Sequence, residues 1–185
     1  MKVLDLFCGR WGWSKPFIET GHDVTGVDNE EWCDPPAGAK FIKASLEDWV
    51  PDEHYDVILA SPPCTEFSII KKDTAMYPYD ERIGLDLVWR AFYIIQKVKP
   101  KYWVLENVKG LSEFLGPPRE VVRYGKKKGR KEAYLYGNFP SLPMFSTQIH
   151  HGNIGKMTGY GKAKAKRAEI PRALSQSIHG VICHD

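Results

Sequence analysis

No apolar run in this sequence approaches 18 residues, so no segment reads as a membrane-spanning helix and no membrane partner is expected. The opening MKVLDLF passes straight into an apolar stretch, without the apolar core and small-residue cleavage site of a signal peptide. Cysteine is scarce: Cys8, Cys33, Cys64 and Cys183 are the whole set, and none forms a Cys-x-x-Cys pair. That spacing argues against a structural zinc site and against a disulfide framework. The His150-His151 pair lacks further ligands at metal-site spacing, so no metal is assigned. No glycine loop ends in Lys-Ser or Lys-Thr, which disfavours a nucleoside triphosphatase. No internal repeat is present. Together these absences point to a reduced, cytoplasmic protein.

What is present suits one compact domain over residues 1–185. The chain is 43% hydrophobic and 26% charged, ordinary globular values that exclude wholesale disorder. The formal net charge of +3 hides a segregation: 13 of the 26 basic residues but only 3 of the 23 acidic ones lie between Gly116 and Arg172. A basic surface on a more acidic body points to a polyanion partner, the blander reading being a solvated, flexible loop. Two Lys/Gly-rich stretches, at about 116–131 and 152–168, read as basic loops.

The first half alternates short apolar runs with helix-like segments. Lys2–Phe7, Asp23–Asp28, Ala39–Ala44, Tyr55–Ser61 and Tyr102–Val108 read as strands, and Trp13–Thr20 and Glu81–Val98 as helices. The first, fourth and fifth strands are nearly continuous apolar runs, as expected of strands covered on both faces. Strands alternating with helices predict an α/β fold: a Rossmann-like, doubly wound parallel sheet. A short strand over Glu132–Tyr136 and a last helix from Ile170 to about Ile182 complete the pattern. The six tryptophans read mostly as core or pocket walls.

Three segments carry chemistry. The first strand runs into Phe7-Cys8-Gly9-Arg10-Trp11-Gly12, a glycine turn that lets a ligand approach the backbone. Asp28 ends the second strand about 20 residues later, where a carboxylate can accept from ribose hydroxyls. The fourth strand ends in Ser61-Pro62-Pro63-Cys64-Thr65-Glu66-Phe67-Ser68, which puts a cysteine on a proline-stiffened loop beyond the carboxyl end of the sheet. Cys64 is a candidate nucleophile there. The fifth strand ends in Glu106-Asn107-Val108, so that a carboxyl able to act as a general acid faces the Cys64 loop if the two strands are neighbours.

DLFCGxxGxS, a ribose-type acid, PPCTEFS and ENV, in this order, resemble the cytosine carbon-5 methyltransferases, which act mainly on DNA with one branch on tRNA. The likeness covers about residues 2–110 and, weakly, 170–182. It implies S-adenosylmethionine as cofactor and the matching fold. It further implies that Cys64 attacks carbon 6 of cytosine, that Glu106 holds or protonates ring N3, and that a base in a duplex is flipped out to reach them. Phe7, Gly9, Gly12 and Asp28 match the cofactor turn and the ribose acid. Ser45 and Leu46 fall at the adenine, Pro62 and Leu87 at the pocket wall, and Asn107 at the residue that braces the cysteine loop.

The sequence departs from the family at Trp11, where a glycine is usual, and at Ser45, where an acid is usual; Asp48 stands one helical turn on. The Gln-x-Arg-x-Arg motif is missing, and Arg130 or Lys131 is its candidate replacement. Leu174-Ser175 stands for the late Asn-Ser motif. Only about 60 residues separate ENV from the last helix, room for basic loops rather than a separate target-recognition domain. Lys126–Lys131 and Gly161–Arg167 would contact phosphates, which position a protein without specifying sequence, and Tyr124, Tyr134, Tyr136 and Tyr160 could stack on bases. Weak sequence selectivity and strong salt dependence follow. The reading is DNA cytosine methylation through a Cys64 adduct. Alternatives are cytosine methylation in RNA, or a catalytically weak cofactor- or DNA-binding module that needs a partner subunit. The oligomeric state is not specified.

Overall fold

The structure is a computed structural model that describes residues 1–67, 81–124, 131–143 and 170–185. Its strands are β1 (Lys2–Leu6), β2 (Asp23–Asp28), β3 (Ala39–Lys43), β4 (Val57–Ala60), β5 (Tyr102–Asn107), β6 (Glu120–Tyr124) and β7 (Lys131–Asn138). The α-helices among the described residues are α1 (Lys15–Glu19), α2 (Glu81–Val98), α3 (Ser112–Leu115) and α4 (Arg172–Cys183). The strands form one sheet in the order β3-β2-β1-β4-β5-β7-β6. Neighbours from β3 to β5 are parallel, with Leu6 level with Val27 on one side and Ala60 on the other, and Ala60 level with Leu105.

The expected α/β, doubly wound sheet is present, with two corrections. The sheet is mixed rather than parallel throughout, because β7 runs antiparallel to both β5 and β6. The expected basic loop at 116–131 is interrupted by β6. In β6, Val122 and Tyr124 face inward while Val121 and Arg123 face out, a period-2 pattern that the flanking Gly, Pro and Lys residues obscure. Arg123 sits level with Glu132 on β7 and pairs with it at 2.8 Å. The loop expected at 152–168 lies outside the described residues, as does Lys126–Arg130.

Each face of the sheet is sealed by its own helices. On one face Phe17 of α1 and Leu174, Ile178 and Ile182 of α4 pack on Val3, Val24, Val57, Leu59 and Val104. On the other, Val88, Ala91, Ile94 and Ile95 of α2 cover Leu4, Leu6, Ile58, Ala60 and Leu105. Helix α2 stops because Lys99 turns to φ +52°, its N–H reaching back to the Ile95 carbonyl, and Pro100 cannot continue a helix. Trp89 on α2 is 54% exposed, unlike the core or wall position expected of most of the tryptophans. No helix among the described residues is long and apolar enough to cross a membrane.

Trp11, the bulky departure in the first turn, is turned into the core at 1% exposure, edge-on to Phe41. It fits because β2 carries Gly26 opposite it: a Cβ there would lie 2.5 Å from the Trp11 ring and 2.9 Å from Cys8 Sγ. Gly26→Ala is therefore expected to destabilise the fold by about 1–3 kcal/mol through overpacking. The loss should shrink in a Trp11→Phe background, and a denaturant-unfolding double-mutant cycle measures the coupling.

Candidate active site

Strand order reverses between β1 and β4, so the turns that follow them diverge and leave a crevice beyond the carboxyl ends of the sheet. A cavity of about 490 Å³ occupies it, a volume suited to a small-molecule ligand. Phe7, Gly9, Gly12, Asp28, Ser45, Leu46, Cys64 and Leu87 all line this one cavity, although they come from five separate segments. Glu106, Asn107 and Pro62 lie outside its lining; Pro62 is buried and its neighbour Pro63 takes the wall position. Arg130 lies outside the described residues.

The turn after β1 is wound tightly. Phe7, Gly9 and Trp11 adopt φ of 59°, 50° and 63°, left-handed values that cost energy at the two bulky residues. The Gly9 N–H donates to Asp28 Oδ2 at 3.0 Å, while Asp28 Oδ1 accepts from the Glu30 N–H at 3.2 Å and from Trp32 Nε1 at 3.3 Å. A carboxylate offers about four lone-pair positions. Three N–H groups thus orient Asp28 and leave capacity for one hydroxyl donor from the cavity. Trp32, Phe7 and the buried Leu46 supply apolar walls. Ser45 is exposed at the rim, its Oγ accepting from the Glu47 N–H at 3.3 Å. Glu47 rather than Asp48 lines the cavity.

Asp5, not singled out by sequence pattern, lies at the cavity with 1% exposure. Burial pushes its carboxyl up to about 7, against the Ser14 hydroxyl that donates to it at 2.6 Å, with the nearby Asp28 charge adding to the rise.

The cysteine loop is held from beneath. Asn107 is fully buried; its Nδ2 donates to the Pro62 carbonyl at 3.0 Å and its Oδ1 accepts from the Val108 N–H at 2.9 Å. The Cys64 carbonyl accepts from the Phe67 N–H, closing a 3₁₀ turn over Thr65–Phe67. That turn rests on Gly110, where a Cβ would lie 2.1 Å from the Phe67 carbonyl oxygen, so only glycine allows the approach. Cys8 also lines the cavity, but it is buried, and burial with Asp5 and Asp28 nearby drives its thiol far above the ordinary range. Of the two cysteines at the cavity, Cys64 is the accessible one.

Glu106 stands beside Asn107 near the end of β5. Desolvation pushes its carboxyl up to about 7, opposed by a hydrogen bond from Ser61 and by the Lys131 charge. Trp13 Nε1 donates to Ser61 Oγ at 2.6 Å. An indole N–H can only donate, so Ser61 accepts from Trp13 and directs its own proton to Glu106. Tyr124, at the end of β6, joins this group: burial raises its hydroxyl, and Glu106 and then Cys64 raise it further. Asp5 and Ser61 are the residues here that the sequence did not single out; Trp13 and Trp32 were expected only as core or pocket walls, and Tyr124 only as an aromatic for base stacking. Only Ser61, adjacent to the Pro-Pro-Cys segment, carried a local signal.

Residues 1–115 match the family described as C-5 cytosine-specific DNA methylase. The chain is 26% identical to the type II methyltransferase M.AgeI of Thalassovita gelatinovora, over 86% of this chain and 44% of that protein. It is 31% identical to a protein named probable DNA (cytosine-5)-methyltransferase from Frog virus 3, over 58% of this chain and 53% of that protein. The chain spans about half or less of the length of these curated relatives. Among solved structures, the Pyrococcus abyssi tRNA (uracil-54, C5)-methyltransferase in complex with S-adenosyl-L-homocysteine aligns over 72% of this chain and 33% of that one, with a TM-score of 0.46 and 15% identity.

The Ser61 hydrogen bond favours the charged form of Glu106, so Ser61→Ala should raise the Glu106 pKa above its value near 7. Carbon-13 NMR titration of the Glu106 side chain reads the shift; an unchanged or lowered midpoint would contradict the arrangement.

Proposed function

The chain belongs to the C-5 cytosine-specific DNA methylase family, and on that premise we propose that it methylates carbon 5 of cytosine in DNA, with Cys64 as nucleophile and Glu106 as acid. The observation that carries the reading is the single cavity: an accessible cysteine and a nucleoside-type subsite open into the same space. The residues fit S-adenosylmethionine. Asp28 keeps one acceptor position for a ribose hydroxyl, the Phe7–Gly12 turn brings backbone close, and Trp32 and Leu46 offer apolar walls for an adenine.

Bound there, S-adenosylmethionine would supply an electrophilic methyl group to carbon 5 and leave as the neutral thioether. The protein's own residues make carbon 5 able to accept it. An aromatic pyrimidine is a poor nucleophile at that atom, and addition of the Cys64 sulfur to carbon 6 breaks the aromaticity, the thiol proton going to solvent. Glu106, with its carboxyl near 7, is partly protonated at neutral pH and can give its proton to ring N3 as the new S–C6 bond forms. The electron pair of the former C5–C6 double bond then resides on an enamine. After methylation, loss of the carbon-5 proton to solvent restores that double bond as the S–C6 pair leaves on the Cys64 sulfur; the thiolate regains a proton from solvent, and N3 returns its proton to Glu106. Asn107 keeps the Cys64 loop at a fixed height by holding the Pro62 carbonyl. Lys131, whose charge acts on Glu106, stands where the family's base-contacting arginine is absent, and we assign it that contact.

The basic residues between Gly116 and Arg172 support a nucleic-acid substrate, held mainly through phosphates. A duplex target must be flipped to reach Cys64. The test is incubation of the purified protein with methyl-labelled S-adenosylmethionine and, in parallel, single-stranded DNA, double-stranded DNA or RNA at low salt. Label recovered as 5-methylcytosine is the expected result, and Cys64→Ala should abolish it by several orders of magnitude, the scale that loss of a nucleophile costs other covalent enzymes. Label only in RNA would transfer the reading to that substrate. Cofactor binding with no transfer would favour a binding module that needs a partner subunit.

A further inference from the structure

His22 follows the turn after α1, and His179 and Cys183 lie four residues apart on α4, hence on one face of that helix. The fold brings the three together on the side of the sheet shared by α1 and α4. Their metal-ligating atoms all lie within 4.8 Å of one another, and each residue is partly buried. His22 Nε2 and Cys183 Sγ are 3.4 Å apart. Zinc–nitrogen and zinc–sulfur bonds of about 2.0–2.1 and 2.3 Å place tetrahedral N and S ligands roughly 3.5 Å apart. That pair already has the separation of two ligands on one ion.

The surroundings hold the three in place. The His179 ring meets Phe17 edge-on at 4.9 Å between centroids, and its Nε2 lies 2.9 Å from Thr20 Oγ1. Arg172, at the start of α4, pairs with Glu19 at the end of α1, one Nη2 lying 2.9 and 3.1 Å from the two carboxylate oxygens. Helix α4, which carries two of the ligands, is thus joined to the end of α1, three residues before the third ligand, independently of any ion.

We propose that His22, His179 and Cys183 form a binding site for a borderline-soft divalent transition-metal ion, Zn²⁺ first among them. One imidazole nitrogen from each histidine and the Cys183 thiolate bind the ion, and a water completes the tetrahedron. The donor set of two imidazoles and a thiolate selects against Mg²⁺ and Ca²⁺, which take oxygen ligands. On coordination the Cys183 thiol gives its proton to solvent as the metal–sulfur bond forms. The ion would tie α4 to the α1–β2 turn. Because Ile170, just before α4, lines the active-site cavity, this tie also steadies one wall of that cavity.

The test is titration of the untagged, full-length, metal-free protein with Co²⁺, followed by absorbance. The expected result is one equivalent bound with tetrahedral d–d bands and a thiolate-to-cobalt charge-transfer band, both displaced by Zn²⁺. Cys183→Ser should remove the charge-transfer band. His22→Ala and His179→Ala should each weaken Co²⁺ binding by at least the roughly 10–100-fold that loss of a supporting group alone costs a metal site. Zn²⁺ should raise the Tm of the parent protein and leave that of Cys183→Ser unchanged, circular dichroism of the metal-free proteins having shown that each variant folds. A charge-transfer band that survives Cys183→Ser, one that vanishes in Cys64→Ser instead, or no band at saturating Co²⁺ would each overturn the proposal.

Discussion

The ends of β4 and β5 are fastened by a buried hydrogen bond, Asn107 Nδ2 to the Pro62 carbonyl at 3.0 Å, and the arrangement of the site depends on it. Asn107 has no solvent to turn to, so its amide must be satisfied within the protein. Satisfying it sets the height of the Pro-Pro-Cys segment above the sheet. Gly110 completes the seat by letting the Phe67 backbone come closer than any side chain would permit. Cys64 is thus carried on a short segment clamped at both sides, and Glu106 stands beside Asn107 near the end of β5.

A second constraint shapes the cofactor side. The first turn accepts a tryptophan where a small residue is usual, and it does so by exporting the side chain to the core. The positive φ of Trp11 swings the ring away from the cavity and onto the space above Gly26. The turn can then keep its hydrogen bond from Gly9 to Asp28. Bulk at one position is compensated by its absence on the neighbouring strand, so the substitution leaves the lining of the cavity intact.

Electrostatics divide the site into unlike acids. Asp28 is oriented by three N–H donors, whereas Asp5 and Glu106 are lifted toward neutrality by burial. Glu106 is partly relieved by Ser61, which is itself oriented by Trp13. A carboxyl poised near 7 can hold or release a proton at the pH where the protein works, and no local sequence feature announces that condition.

Much of this was legible in the chain. The β2 and α2 boundaries and the strand-end position of Cys64 follow from apolar runs and proline and glycine punctuation, all of which are local, whereas the pairing of β4 with β5 was only a condition until the fold supplied it. The β6 strand was missed because five residues of alternation are too few to stand out between lysine- and glycine-rich flanks. Asp5 was missed, and the links of Trp13 to Ser61 and of Tyr124 to Glu106 were not legible, because they depend on which strand lies beside which. His22 and His179 are 157 residues apart in the sequence, and no spacing rule joins them. The sequence by itself determined the order of strands from β1 to β5, the turn and loop chemistry, and the family. Only the tertiary structure decided the direction of Trp11, the acidity of Glu106 and the meeting of His22 with α4, because burial, desolvation and side-chain proximity are properties of packed neighbours rather than of the chain order.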